Sequence, residues 1–218
     1  AFFLVLTIGM VVIDPGAGAL APIAIGSVLM VLVYAGGHIS GAHYNPAVTL
    51  AIFIRGKASA SDLVGYWVAQ FIGGALGAML ANAFKAGALV TTAPINTLPA
   101  LLAEFVFTFA LAYVVLNVAT TRGTEGNSYY GLAIGFTVMA GAFAVGPVSG
   151  AVFNPSVALG ATIMGLFEMS DIWIFLVANF LGAAAAGLLF KALDMGNDKP
   201  TTASVEDQGK LRQAGATK

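Results

Sequence analysis

Cysteine is absent from the 218-residue chain. Disulfides, thiolate metal sites and cysteine nucleophiles are therefore excluded. Charge is scarce too. Nine Lys and Arg and ten Asp and Glu make up 9% of the residues, where a soluble domain carries about 25%. A surface facing water would need more. Net charge is −1, so there is no basic footprint for nucleic acid. No Ser–His–Asp spacing, metal-ligand cluster or phosphate loop occurs, so no enzyme activity, cofactor or metal is expected.

Apolar residues are abundant, at 59% with 27 glycines, and mean hydropathy is +0.91. Glycine is more frequent in membrane helices than in soluble ones. The expected partner of this surface is the lipid bilayer, and the expected class is an all-α membrane protein.

Six apolar spans are legible: Ala1–Ile13, Leu20–Gly37, Ser61–Phe84, Pro99–Thr121, Tyr129–Val145 and Asp171–Leu193. The first has 13 residues before Asp14-Pro15-Gly16, fewer than the ~20 a spanning helix needs. It reads as a first membrane helix whose start precedes the sequence given. Residues 1–193 read as one membrane domain, and the polar segment 194–218 reads as a disordered cytoplasmic tail.

His38–Gly56 and Pro147–Leu166 do not fit this scheme. Each is apolar, carries Gly and Pro, and has about 11 residues of helical character after an Asn-Pro. That length reaches about half the hydrocarbon core. Non-helical backbone at that depth survives only when it is buried in protein or lines a wet cavity. These are candidate re-entrant segments.

A repeat links them. Shifted by 109 residues, Ala24–Leu80 lies on Ala133–Leu189 without a gap, and 23 of the 57 pairs are identical. The matches include Ser40/Ser149, Gly41/Gly150, Asn45/Asn154, Pro46/Pro155 and Asp62/Asp171. Membrane composition explains matched Ala and Val, but not matched Asn, Pro and Asp in one register. Repeat one covers about 1–86 and repeat two about 99–193. Each holds three spans and one half-span. Three is odd, so the second copy is inverted in the membrane. With the N-terminus in the cytoplasm, Arg55, Lys57, Arg122, Lys191, Lys199, Lys210, Arg212 and Lys218 face inward and only Lys85 faces outward. This obeys the positive-inside rule and puts the C-terminus in the cytoplasm of a plasma (inner) membrane protein.

The candidate site is Asn45-Pro46-Ala47 with Asn154-Pro155-Ser156. Asn suits a helix N-cap and Pro the first helical position. Each pair would start a half-helix in mid-membrane, with unpaired N–H groups and the positive dipole end at the pore centre. Two such ends form a barrier to cations and protons. The Asn amides would donate to a passing oxygen. Carbonyls of Gly41, Ala42 and His43, and of Gly150 and Val152, would accept.

His38-Ile-Ser-Gly-Ala-His-Tyr-Asn-Pro-Ala-Val-Thr-Leu50 resembles the first signature of the aquaporin–glyceroporin (major intrinsic protein) family. Gly146-Pro-Val-Ser-Gly-Ala-Val-Phe-Asn-Pro-Ser156 resembles the second. The resemblance covers about residues 1–193. It implies six helices, two half-helices and a homotetramer with one pore per subunit, passing water or small neutral solutes. Glu104 resembles the family's buried structural acid, whose partner in the first helix would lie ahead of Ala1.

The second signature departs from the family pattern of Ala and Arg after Asn-Pro, with Ser156 and Val157 instead. By position, the resemblance puts the constriction at Ile25, Ala142, Ala151 and Val157, none charged and none aromatic. Such a constriction is expected to be wide, apolar and weakly selective, admitting glycerol, urea or neutral metalloid hydroxides. Dewetting there would instead make a poor water channel.

Two rival functions differ in class. An ion-coupled transporter also uses inverted repeats but needs intramembrane acids, and Glu104 is the one acid deep in a span. It reads as a tie for re-entrant backbone. A non-conducting scaffold is the other. Flux with and without an ion gradient separates the transporter from a passive channel. His38 and His43 read as hydrogen-bonded packing, with a pH gate as the alternative. Asp62 and Asp171 read as helix caps.

Overall fold

The computed structural model describes residues 1–92 and 94–196. Eight α-helices and no strand occur among them. They are α1 (Phe2–Val12), α2 (Ala21–Ser40), α3 (Pro46–Ile54), α4 (Ala60–Phe84), α5 (Thr97–Thr120), α6 (Tyr130–Ser149), α7 (Pro155–Ile163) and α8 (Ile172–Ala192). Five of them, α2, α4, α5, α6 and α8, are long and apolar enough to cross a membrane. The first, α1, has 11 residues and is about 16 Å long. Of the six expected spans, five are long helices and the first is this short one.

The 109-residue repeat holds in three dimensions. Shifted by that interval, α2 lands on α6 and α3 on α7, residue for residue. Across α2 and α6 the contacts are reciprocal. A Cβ at Gly26 would lie 2.7 Å from the Gly135 carbonyl oxygen and 2.6 Å from Met139 Cβ. One at Gly135 would lie 2.5 Å from the Gly26 oxygen and 2.6 Å from Met30 Cβ. Reciprocal contact of equivalent residues is the mark of a two-fold relation. Without side chains at these glycines, the two backbones approach closely, as small residues allow in membrane packing.

The same logic docks the remaining helices. Gly77 of α4 admits the Phe2 carbonyl of α1, and Gly182 of α8 admits the Phe105 carbonyl of α5. The half-helices are clasped crosswise, with α3 against α8 and α7 against α4. Gly187 and Gly74 make room for them. A Cβ at Gly187 would lie 3.1 Å from the Ala51 oxygen, and one at Gly74 2.7 Å from the Ser156 oxygen.

Several boundaries differ from the sequence expectations. The half-helices run nine residues rather than 11, because Gly56 and Gly165, both at positive φ, close them. The re-entrant segments also start later. His38–Ser40 continue α2, and Pro147 lies inside α6, which runs on past Val145. A proline in the last turn removes one N–H yet leaves the turn able to finish at Gly150, whose left-handed backbone stops the helix.

The caps also differ. Ser59, not Asp62, is the N-cap of α4. Asp62 sits three residues on and completes a capping box, receiving the Ser59 N–H. Asp171 occupies the N-cap of α8 without a side-chain cap bond. Asp194–Gly196, assigned by composition to the tail, lie on the domain: half-buried Met195 packs against the core, and the Gly196 carbonyl accepts from the Arg122 N–H at 3.4 Å. The rest of the expected tail, 197–218, lies outside the described residues.

Candidate functional site

The two Asn-Pro motifs meet in mid-protein because α3 and α7 touch at their starts. Each Asn has extended backbone, φ −151° for Asn45 and −156° for Asn154, and each caps its own half-helix. Asn45 Oδ1 accepts from the N–H of Ala47 at 2.9 Å and of Val48 at 3.4 Å. Asn154 Oδ1 accepts from the N–H of Ser156 at 3.0 Å. With the oxygen committed to the cap, the amide nitrogen points across. Asn45 Nδ2 donates to the Phe153 carbonyl at 2.8 Å, and Asn154 Nδ2 donates to the Tyr44 carbonyl at 3.0 Å. One N–H of each amide thus ties the half-helices together, and a second remains on each.

The approach to each Asn is strained backbone. Ala42, Tyr44, Ala151 and Phe153 all have φ near +50°, a region that costs a non-glycine residue roughly 1–3 kcal/mol. Specific bonds hold it. Buried Glu104 accepts from the N–H of Val152 at 2.8 Å, the N–H of Phe153 at 2.7 Å, the Ser149 hydroxyl at 2.7 Å and Asn179 Nδ2 at 2.8 Å. Four donors around one carboxylate rigidify the second segment.

The first segment is held differently. Gln70 Nε2 donates to Thr49 Oγ1 at 3.0 Å, and that hydroxyl donates to the Asn45 carbonyl at 3.0 Å. His43 Nδ1 lies 3.2 Å from the same hydroxyl. The Tyr44 hydroxyl donates to the Leu32 carbonyl at 3.1 Å, and Tyr66 to that of Ser40 at 3.0 Å.

Two cavities meet at these segments. One of about 370 Å³ is lined by Ile25, His43, Asn45, Val138, Ala142, Gly150, Ala151, Val152, Asn154, Val157 and Phe167, among others. The other, of about 650 Å³, is lined by His38, Gly41, Lys57, Thr121, Arg122, Glu125 and Asn127, among others. Ala42, Val115 and Ile134 line both. Both Asn amides stand on the wall of the first cavity, whose lining is otherwise mostly apolar.

The family model for the major intrinsic proteins matches residues 2–190. The chain belongs to the major intrinsic protein family. Nodulin-26 of Glycine max is 36% identical over 198 residues, which cover 88% of this chain and 72% of that protein. Aquaporin NIP1-3 of Oryza sativa subsp. japonica is 37% identical over 179 residues, 80% of this chain and 62% of its own length. The chain spans the same share, 62%, of two relatives from Arabidopsis thaliana. Among solved structures, the aquaglyceroporin from Plasmodium falciparum superposes with a TM-score of 0.73 at 20% identity, covering 87% of this chain and 89% of that one. The fold is that of this family: membrane helices and two re-entrant half-helices in two inverted repeats.

The structure sorts the expected residues of this major intrinsic protein. Ile25, Ala142, Ala151 and Val157 all line the first cavity, as do Asn45 and Asn154. The residues expected to offer carbonyls divide. His43, Gly150 and Val152 line the first cavity, Gly41 the second, and Ala42 both. Pro46, Ala47, Pro155 and Ser156 line neither. They are buried behind the asparagines, with Ser156 against Gly74 of α4.

Three participants escaped the sequence reading: Gln70, Asn179 and Phe167. The first two were within reach. They occupy equivalent repeat positions, and each is a buried amide in the middle of an apolar span. Phe167 lies in a turn and carries no such signal.

Proposed function

We propose that this chain forms a passive transmembrane conduit for water and small uncharged solutes, with glycerol, urea and neutral metalloid hydroxides as the solute class. One observation carries this reading: the Asn45 and Asn154 amides line one mid-protein cavity, which shares Ala42, Val115 and Ile134 with a second. A permeant shedding water there finds amide donors and strained-loop carbonyls on an apolar wall. A cation meets two helix N-termini. Ile25, Ala142, Ala151 and Val157 form the constriction in this reading, and no charge or ring among them excludes a polyol.

We assign the C-terminus and the Lys57–Arg122 cavity to the cytoplasmic side. Support comes from the placement of cations. Lys57 and Arg122 line one cavity and Arg55 reaches the Thr120 carbonyl near it at 3.5 Å. Lys85 instead bonds to the Pro15 carbonyl between other helices. The membrane is a plasma (inner) membrane in this reading. The exposed apolar faces of the helices meet lipid and, in a homotetramer, neighbouring subunits.

Stopped-flow light scattering on proteoliposomes tests the conduit. Fast shrinkage in sucrose and fast re-swelling in glycerol are expected. Fast shrinkage without glycerol entry would leave a water channel with a narrower constriction. No acceleration over empty liposomes would sink the reading.

A further inference from the structure

The repeats match closely at the two re-entrant turns, but one feature breaks the match. Gly41 and Gly150 are equivalent, each closing its long helix with left-handed backbone. Ala58 and Phe167 are equivalent too, each following a half-helix. Around Gly41, the atoms that a Cβ would meet belong to His43 alone. Around Gly150 they all belong to the ring of Phe167, with Cε1 at 2.9 Å and Cζ nearer still. A glycine is therefore needed at 150 both for its φ of +87° and for room.

The ring is held firmly. The half-helix α7 ends in a left-handed turn at Gly165, where the Leu166 N–H returns to the Ala161 carbonyl at 3.0 Å. Phe167 follows at once and leans on Phe175 of α8, with ring centroids 4.7 Å apart. Only 9% of Phe167 is exposed, yet it lines the first cavity together with Gly150, Ala151 and Val157. The rigid ring packs against an unsubstituted glycine in the wall of this cavity. Its edge cannot yield as an aliphatic side chain would.

We infer that Phe167 is a specificity-determining residue of this pathway, a size-limiting wall at the end where the α7–α8 turn meets the cavity. The inference rests on the conduit reading above. The four constriction positions carry no ring and no charge, and the Phe167 ring narrows the cavity from the side of Gly150. Repeat one has Ala58 at this place, so the narrowing belongs to one end only. Solutes are sorted by width at that end, by contact with the ring edge, and not by charge.

The test reconstitutes wild type, Phe167→Ala, Phe167→Leu and Phe167→Cys in proteoliposomes. It measures water exit in sucrose and entry of urea, glycerol and erythritol. Phe167→Ala should raise the erythritol-to-water rate ratio severalfold. Phe167→Leu should fall between, and it keeps the test alive if the alanine variant does not fold. Because the chain has no other cysteine, benzyl methanethiosulfonate will mark Phe167→Cys at that position alone. The label should restore the wild-type ratio, and dithiothreitol should remove the effect. Ratios unchanged in every variant while wild type conducts, or a thiol that does not react, would overturn the inference and leave the conduit standing. Wild type no faster than empty liposomes would overturn both.

Discussion

Gly26 and Gly135 face each other across the two-fold relation between the repeats, each placing its carbonyl where the other's Cβ would be. A side chain at either forces α2 from α6. Gly26→Ala should cost about 1–3 kcal/mol, as overpacking does, seen as a lower melting temperature in detergent. Gly65, whose Cβ would meet nothing within 4 Å, is the control, and Gly65→Ala should not lower stability. Equal loss in both would refute the close-contact argument.

Glu104→Gln replaces an acceptor of four donors by a group that itself donates. At least one N–H of Val152 or Phe153 then loses its partner. An orphaned buried donor costs about 1–3 kcal/mol, so the protein should melt earlier and conduct more slowly per folded molecule. Unaltered flux and melting would show that the re-entrant turn does not depend on this carboxylate.

Asn154→Asp keeps the cap and reverses the cross-link. The Asn154 amide now donates to the Tyr44 carbonyl at 3.0 Å; a carboxylate would oppose that oxygen. It also sets a negative charge between two helix ends whose dipoles oppose cations. Proteoliposomes loaded with a pH-sensitive dye should show a proton leak absent from wild type. A tight, folded variant would argue that the helix N-termini alone make the barrier.

Val157→Arg tests the constriction. Val157 is 5% exposed and lines the first cavity, so a guanidinium there has little room except in the path. Glycerol entry should fall by about tenfold, equivalent to about 1.4 kcal/mol of added barrier, with water affected less. Glycerol flux equal to wild type would move the constriction elsewhere.

Gln70→Leu removes the donor to Thr49 without a change of helix. The bond at 3.0 Å links α4 to the hydroxyl that also supports Asn45 and His43. Loss of about 1 kcal/mol is expected from one such buried bond, readable in thermal unfolding. A larger loss would mean that the three groups act as one network.

Much of this was legible in order of residues. Scarcity of charge demanded lipid as solvent, and the unbroken register of Ala24–Leu80 on Ala133–Leu189 demanded two copies of one unit. Asn45-Pro46 and Asn154-Pro155 announced helix starts, since cap and first-turn preferences are local. The ends of helices were less legible. Pro147 suggested an earlier stop for α6, but the fold tolerates it in a last turn that Gly150 closes.

The sequence by itself determined the solvent, the repeat and the two half-helix starts, because composition, periodicity and capping act through neighbours along the chain. Only the tertiary structure decided which partner each polar group would find. The bonds from Asn45 to Phe153 and from Asn154 to Tyr44 cross between residues more than one hundred positions apart. So does the packing of the Gly26 and Gly135 carbonyls. Phe167 is the sharpest case. Nothing in its neighbours sets it apart, and it acquires a role only where the turn after α7 brings its ring against Gly150. Such contacts depend on how helices dock, and docking is settled by all the close-packed surfaces together.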